Sequence, residues 1–170
     1  RRFKIIHESP VTEGSYVVLQ KTHEKIVENP ALFHLIWSTS AAGYNQSVQG
    51  RIIESIFANH DKSTAEVRIY SNSLTKDHFN RFLQLGCNVV VIPFDLGTIL
   101  KDTILEGFEH KFLKYQQHRN YYSHVTDVAR MALLWKYGGI YLDYDALVNK
   151  NLLSMRNSIA DQDTTNTNGA

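Results

Sequence analysis

The fold is decided by residues 123–145, which read SHVTDVARMALLWKYGGIYLDYD. The first part of this stretch predicts a helix, because apolar residues recur at three- and four-residue spacing and form one face. These residues are Val125, Val128, Ala132 and Trp135. Gly138-Gly139 is expected to end the helix, since glycine readily adopts the left-handed conformation found after a helix C-terminus. A short strand is then expected from Ile140 to Asp145.

Two carboxylates follow the double glycine, at Asp143 and Asp145. Side chains alternate along a strand, so Tyr141, Asp143 and Asp145 are expected on one face and Ile140 and Leu142 on the other. At about 3.3 Å per residue, the two carboxylates would lie roughly 6 to 7 Å apart. This spacing is too long for a shared proton, and it suits one carboxylate that binds a hard cation beside another that holds the ligand.

The joined pattern of Asp127-x-x-Arg130 and YGGIYLDYD, residues 137–145, resembles a known enzyme family. It is similar to the donor-sugar segment of nucleotide-sugar glycosyltransferases with the GT-A fold. The likeness is to the α-1,4-galactosyltransferase and α-1,4-N-acetylglucosaminyltransferase type, within a wider D-x-D group that includes the clostridial glucosylating toxins. A bare D-x-D is common, whereas the joined pattern fixes the distance between each of its parts.

The resemblance implies a metal-dependent glycosyltransferase. Such an enzyme transfers a hexose from a UDP-sugar to a glycan or glycolipid acceptor, with retention at the anomeric carbon. Asp145 would bind Mn²⁺ or Mg²⁺ directly, and Asp143 would reach the ribose and the metal shell, so both carboxylates would be catalytic and metal-binding residues. Tyr141 would lie beside them in the substrate site.

Three further substrate-binding residues follow from the same resemblance. Asp127 and Arg130 would hold the hydroxyls of the donor sugar, and Arg suits this role because its planar fork directs two hydrogen bonds. Trp37 ends the run Phe33-His34-Leu35-Ile36-Trp37, which is similar to the strand of the glucosylating toxins whose tryptophan stacks on uracil.

Each of these residues also has a structural interpretation. Asp143 and Asp145 could simply lead a strand into a solvated turn, where Asp is common. Asp127 and Arg130 lie three residues apart on a helix and could form a surface ion pair. A large aromatic residue at a strand end, such as Trp37, is often part of the core.

The rest of the chain predicts an α/β fold with a mostly parallel sheet, because strands alternate with helices. The resemblance implies that this sheet is the Rossmann-like, nucleotide-sugar-binding half of a GT-A domain whose C-terminal half is missing. The predicted strands cover residues 32–37, 67–70 and 89–92, and the helices between them cover 47–59, with Ser47 as N-cap, and 76–85. Residues 96–117 are helical in pattern but interrupted by Gly97 and Gly107, and residues 115–122 are expected to form a mobile loop above the site.

The chain has 170 residues, 43% of them hydrophobic, which is enough for one core. We expect a leading or stem segment at 1–30, a partial nucleotide-sugar-binding domain at 31–160 and a polar tail at 161–170. The resemblance suggests that an acceptor half would follow this tail, so the chain is expected to be cut short.

Charge and hydropathy limit the possible partners. The net charge is +1 with both signs interspersed, which disfavours a nucleic-acid partner. No apolar run is long enough to span a bilayer, so the chain is expected to be soluble. The resemblance implies the lumenal side of the Golgi membrane, reached through an anchor upstream of this chain. The sequon Asn45-Gln46-Ser47 is compatible with a secretory route.

Two other functions compete with transfer. Phosphatases of the haloacid dehalogenase type also place D-x-D at a strand end, but they favour Thr or Val at the position that Leu147 occupies here. A non-catalytic remnant that still binds the sugar donor is the second alternative.

Overall fold

Four parallel strands form one sheet in the part of the chain that the structure describes. This structure, a computed structural model, describes residues 31–114, 116–118, 121–155 and 157–158. The sheet has the order β3-β2-β1-β4, with β1 and β2 at its centre. The strands are β1 (Ala31–Trp37), β2 (Ala65–Ser71), β3 (Asn88–Ile92) and β4 (Ile140–Tyr141). The predicted α/β class with a parallel sheet is therefore confirmed.

Helices connect the strands, as parallel pairing requires. They are α1 (Gln46–Asn59), α2 (Asn80–Gln84), α3 (Leu96–Leu100), α4 (Glu109–Leu113) and α5 (Tyr121–Tyr137). Short 3-10 helices precede α1 at Ala41–Gly43 and α2 at Lys76–Phe79.

The sheet separates two apolar clusters. On one face, α1 and α2 pack against side chains of β1 and β2, with Phe33 and Val67 fully buried. On the other face, α3 and α5 cover Ile36 of β1 and Tyr141 of β4. Because helices cover both faces of the sheet, a ligand can approach it at the ends of the strands. Ligands in such folds bind beyond the carboxyl ends.

The first half of the chain matches the predicted elements closely. α1 buries the four apolar residues that define its face, namely Ile52, Ile53, Ile56 and Phe57. Its N-cap is Asn45 and not the predicted Ser47, because the Asn45 side chain accepts a hydrogen bond from the Ser47 amide at 2.9 Å. The predicted helix at 76–85 begins as a 3-10 turn, and Gly86 ends it with φ of +75°.

The region between β3 and α5 departs from the predicted pattern. Instead of one interrupted helix at 96–117, the structure has the two short helices α3 and α4, with Gly107 between them at φ of +79°. Helix α5 begins at Tyr121, so Tyr121 and Tyr122 belong to its first turn and not to the predicted loop.

The predictions for residues 1–30 and 161–170 lie outside the described residues. No helix within the described ranges has the length and apolarity needed to cross a bilayer.

Candidate functional site

The connection from α5 to β4 turns sharply on two glycines. Gly138 and Gly139 have φ of +65° and +89°, the left-handed values that the sequence predicts for this position. A side chain on Gly139 would overlap the carbonyl oxygen of Leu32 in β1, so the chain passes directly against that strand. This close approach brings the residues after Gly139 into the sheet beside β1.

His34 fixes the same connection from within the sheet. Its Nε2 lies 2.9 Å from the Gly138 carbonyl, and its Nδ1 lies 3.1 Å from the Tyr70 hydroxyl. A carbonyl only accepts, so these two bonds assign the proton to Nε2 and make Nδ1 the acceptor. Burial lowers the pKa of His34 from 6.5 to about 4, although the bond to Gly138 opposes the shift. His34 is therefore a neutral core residue and not a ligand for the site.

Side chains alternate after the double glycine as predicted, as far as Asp143. Ile140 and Leu142 pack on the α1 side of the sheet, and Tyr141 packs on the α5 side. The regular strand is shorter than predicted, however, and ends at Tyr141. Residues 143–146 form a turn closed by a hydrogen bond from the Ala146 amide to the Asp143 carbonyl, at 3.1 Å. Asp145 therefore lies in a turn, and the strand geometry that predicted the 6 to 7 Å spacing does not extend to it.

Arg130 joins three of the predicted site residues. Its guanidinium donates a hydrogen bond to Asp127 one turn earlier on α5, and its Nη1 lies 3.7 Å from Oδ2 of Asp143. The guanidinium carbon lies 5.2 Å from the centre of the Tyr141 ring. The Arg130 side chain is only 15% exposed, against 53% for Asp127 and 38% for Asp143. The pair is therefore more than a surface ion pair, because it bridges α5 to the turn after β4.

Tyr141 orients Asp143 from the other direction. Its hydroxyl donates to Oδ1 of Asp143 at 3.0 Å. Burial, followed by the nearby Asp143 carboxylate, raises the pKa of the Tyr141 hydroxyl above its ordinary value, so the hydroxyl keeps its proton at neutral pH. Both oxygens of Asp143 thus face a positive or donating group.

Asp145 differs from Asp143 in its surroundings. Its side chain is exposed, and none of the described residues forms a hydrogen bond or ion pair with it. Carboxylate oxygens suit Mn²⁺ and Mg²⁺, and Mg²⁺ commonly takes one or two protein carboxylates together with phosphate oxygens and water. Within the described ranges, no three His, Cys, Asp or Glu side chains converge on one point. The donor set therefore fits a cation that also takes ligands from a bound phosphate.

Trp37 lies on the α1 side of the end of β1, in an aromatic cluster. Its ring meets those of Tyr44 and Tyr144 edge to face, with centroids 5.4 and 5.3 Å away. Its indole nitrogen donates to the Ser40 carbonyl at 3.2 Å. The side chain is only partly buried. Stacking of a base on Trp37 therefore stays a prediction.

An open cleft of about 840 Å³ lies at the carboxyl edge of the sheet. Its walls come from the segments after β1, β2 and β3 and from the first turns of α5, and they include Ser38, Asn72, Phe94 and Tyr122. The volume is within the range of small-molecule sites. Apart from Tyr122, which belongs to the loop predicted above the site, sequence reasoning missed these residues. The rule that ligands bind beyond strand ends would have pointed to them.

Side-chain bonds to the backbone hold the cleft walls in place. Asn72 donates to the Phe94 carbonyl at 2.7 Å and accepts from the Phe94 amide at 2.9 Å, which ties the end of β2 to the end of β3. The Ser73 hydroxyl donates to the Thr39 carbonyl at 2.6 Å, which ties β2 to β1. Asn72 and Ser73, predicted only as part of a turn, therefore line the cleft.

The fold and the site together define an α/β domain with a carboxylate-rich site beyond the ends of its parallel strands. Comparison with known proteins gives the family. The chain belongs to the family described as "Glycosyltransferase sugar-binding region containing DXD motif", which matches residues 12–166. This membership confirms the predicted resemblance. The matched residues include two D-x-D sequences, Asp143-Tyr144-Asp145 and a second at 161–163 that lies outside the described residues.

Named relatives agree with the predicted type. Mouse lactosylceramide 4-alpha-galactosyltransferase is 40% identical over 92 residues, or 51% of this chain and 24% of the relative. Human alpha-1,4-N-acetylglucosaminyltransferase is 36% identical over 66 residues, or 39% of this chain and 19% of the relative. An uncharacterized Arabidopsis thaliana protein is 31% identical over 130 residues, or 76% of this chain and 20% of the relative.

The chain thus spans about a fifth to a quarter of the length of these relatives. Among solved structures, the PaToxG glycosyltransferase is similar with a TM-score of 0.47 and 22% identity, over 71% of this chain and 43% of that one. Family membership rests on the sequence match and not on this structural likeness.

Proposed function

We propose that this chain binds a UDP-sugar together with Mn²⁺ or Mg²⁺ and forms the donor side of a hexosyltransferase. The observation that carries the proposal is the contact of Arg130 with Asp127 and Asp143 beside Tyr141, at the carboxyl edge of the sheet. This arrangement leaves Asp145 exposed and available. Family membership supports the sugar-transfer class. It lends no support to the haloacid dehalogenase alternative.

The two carboxylates, Asp143 and Asp145, would bind different parts of the cation–donor complex. Asp145 would hold the cation directly, because its oxygens have no partner among the described residues. Asp143 would complete the metal shell and accept from a ribose hydroxyl, since the Tyr141 hydroxyl and Arg130 already fix its plane. When bound, the cation would offset the charge that develops on the leaving diphosphate.

Asp127 and Arg130 would hold the sugar. A guanidinium has five N–H donors, of which Arg130 uses one for Asp127 and directs another toward Asp143. Its Nε is buried without a partner among the described residues, so the remaining donors available to a ligand are on the two terminal nitrogens. Asp127, 53% exposed, can accept from a sugar hydroxyl while it remains paired.

Cation and nucleotide should bind cooperatively, because the described carboxylates are too few to hold the metal alone. Coupling between two ligands is reciprocal, so Mn²⁺ should raise the affinity for UDP by the factor by which UDP raises the affinity for Mn²⁺. We expect UDP to raise the melting temperature of the chain only when Mn²⁺ or Mg²⁺ is present.

The test measures thermal shifts and calorimetric Kd values for UDP with and without Mn²⁺, in the native chain and two variants. Asp145→Ala should abolish the metal-dependent increment. Asp163→Ala, which removes a carboxylate from the other D-x-D, is the matched control and should retain it. Equal shifts from UDP with and without metal would refute the metal role.

A second experiment separates sugar binding from nucleotide binding. Arg130→Lys keeps the charge but loses the planar fork, so it should weaken binding of a UDP-sugar by about tenfold while UDP alone binds almost as before. The comparison needs UDP, UDP-galactose, UDP-N-acetylglucosamine and UDP-glucose on both proteins. A parallel loss of affinity for UDP and every UDP-sugar would assign Arg130 a structural role instead.

Transfer to a glycan or glycolipid acceptor, with retention and in the Golgi lumen, completes the proposal for the whole protein. The alternative is a donor-binding remnant that does not transfer. Incubation of the whole protein, and not of residues 1–170 alone, with Mn²⁺ and each UDP-sugar, with and without galactoside or glucoside acceptors, distinguishes the two functions. UDP release that an acceptor stimulates and that Asp143→Asn abolishes indicates a transferase, whereas tight donor binding without stimulated release indicates a remnant.

A further inference from the structure

Tyr144, the middle residue of the D-x-D, is partly buried among other aromatic rings. Its ring contacts Trp37 at the end of β1, with centroids 5.3 Å apart, and Tyr44 in the segment before α1, with centroids 6.1 Å apart. Trp37 and Tyr44 also contact each other, so the three rings form a closed edge-to-face cluster. Edge-to-face pairs at these distances stabilise one relative orientation of the rings.

The turn that carries the carboxylates is therefore held from both faces of the sheet. On the α5 side, the Tyr141 hydroxyl and Arg130 hold Asp143. On the α1 side, Tyr144 enters the aromatic cluster. The Asp145 side chain has no hydrogen bond or ion pair among the described residues, so its direction depends on the backbone of the turn.

We propose that Tyr144 is a positioning residue, whose ring fixes the turn at 143–146 and thereby the direction in which Asp145 presents its carboxylate. The inference rests on the proposed function for the identity of the ligand, a divalent cation with a nucleoside diphosphate. It goes beyond that function by assigning the orientation of the metal ligand to the residue between the two carboxylates. Residues that orient metal ligands from outside the coordination sphere affect metal affinity strongly.

The hydroxyl of Tyr144 has no role in this proposal. It is buried without a hydrogen-bond partner among the described residues. The ring alone makes the contacts to Trp37 and Tyr44, so Tyr144→Phe should preserve the position of the turn. Tyr144→Leu, which stays apolar but cannot make the edge-to-face contacts, should release it.

The experiment compares native protein, Tyr144→Leu, Tyr144→Phe and the control Phe82→Leu. Phe82 is buried in the same apolar cluster, next to Gly50 of α1, and it has no ring contact with Trp37, Tyr44 or Tyr144. The first measurement is hydrogen exchange of the Ala146 amide, which closes the turn, relative to the Leu142 amide, which donates to His34 in β1. The second is the Kd for UDP with Mn²⁺.

Tyr144→Leu should lower the protection of Ala146 relative to Leu142 and weaken Mn²⁺-dependent UDP binding by about tenfold. Tyr144→Phe should match the native protein in both measurements. Phe82→Leu should lower global stability while it leaves the Ala146 to Leu142 ratio and the Kd unchanged. An unchanged ratio in Tyr144→Leu, or the same loss in Phe82→Leu, would overturn the proposal.

The two hypotheses fail separately. If UDP binding proves independent of metal in the native protein, the proposed function fails, and the exchange ratio still decides whether Tyr144 holds the turn. If Tyr144→Leu does not fold, Tyr44→Leu provides the same test, because it removes one of the two rings that hold Tyr144 and should lower the same ratio.

Discussion

Substituting alanine at the two neighbouring glycines should have very different effects on the free energy of unfolding. Gly138 and Gly139 both have left-handed φ values, so alanine at either position costs about 1–2 kcal/mol of backbone strain. A Cβ on Gly138 would meet no atom within 4 Å. A Cβ on Gly139 would overlap the Leu32 carbonyl oxygen and come within 3.2 Å of its carbonyl carbon. The obstacle is backbone of a central strand and cannot rotate away.

The additional cost at Gly139 follows from what must move. To accommodate the Cβ, β4 has to shift away from β1, which breaks the bond from the Leu142 amide to the His34 carbonyl and strains the bond from His34 to Gly138. Each such bond contributes about 0.5–1.5 kcal/mol net. Gly139→Ala should therefore cost about 2–5 kcal/mol in total, against about 1–2 kcal/mol for Gly138→Ala.

Urea unfolding of the native chain and both variants measures these costs directly, provided that the transitions are two-state with equal slopes. The functional consequence is measured by the Kd for UDP with Mn²⁺ on the folded variants. Gly139→Ala should weaken that binding, because β4 carries the turn with both carboxylates, and Gly138→Ala should leave it almost unchanged. Unfolding free energies for the two variants within about 0.5 kcal/mol of each other would refute the reasoning.

Three further predictions concern other parts of the site. The pKa of His34 is about 4 in the folded protein, against 6.5 in the unfolded chain. The stability that neutral His34 contributes is therefore fully present above pH 6.5 and is lost as the pH falls toward 4. Urea unfolding should show a loss of about 3 kcal/mol over that range, and His34→Gln should remove this pH dependence. The unpartnered hydroxyls of Tyr44 and Tyr144 should make Tyr44→Phe and Tyr144→Phe each more stable by about 1 kcal/mol in the same assay, and destabilisation would indicate partners outside the described residues. Asn45 is exposed, and glycosylation at Nδ2 would leave its Oδ1 free to cap α1. Expression through a secretory route should therefore add a glycan that mass spectrometry detects and that Ser47→Ala prevents. An unmodified Asn45 would contradict this prediction.

The elements that the sequence predicts well are those set by local patterns. β1, β2 and β3 are short runs of apolar and β-branched residues between turn residues, and each appears within two residues of its expected bounds. The apolar face of α1 is correct for the same reason, because a fourteen-residue helix repeats its pattern several times. The double glycine is also local, since positive φ depends on the residue itself.

Predictions were less accurate where packing between elements decides the outcome. Two residues of the face predicted for α5, Val125 and Ala132, are buried as expected. The other two, Val128 and Trp135, are only partly buried, and Ala129 and Leu133 are buried instead. Helix α5 packs against α3 as well as the sheet, which places Ala129 and Leu133 in the buried stripe. The position of this stripe depends on a neighbouring helix, which the periodicity of α5 alone does not reveal.

For the site too, sequence reasoning was accurate where local geometry decides and inaccurate where packing between distant residues decides. Alternation along the chain correctly placed Tyr141 and Asp143 together, because both belong to the end of one extended segment. It failed for Asp145, where the chain leaves the strand as Tyr144 enters a cluster with rings about a hundred positions earlier in the sequence. A D-x-D motif therefore specifies which carboxylates are present, while the residue between them and its distant partners determine how those carboxylates are directed. We therefore expect Tyr144→Thr, which removes the ring from that cluster, to weaken metal-dependent binding even though both carboxylates remain.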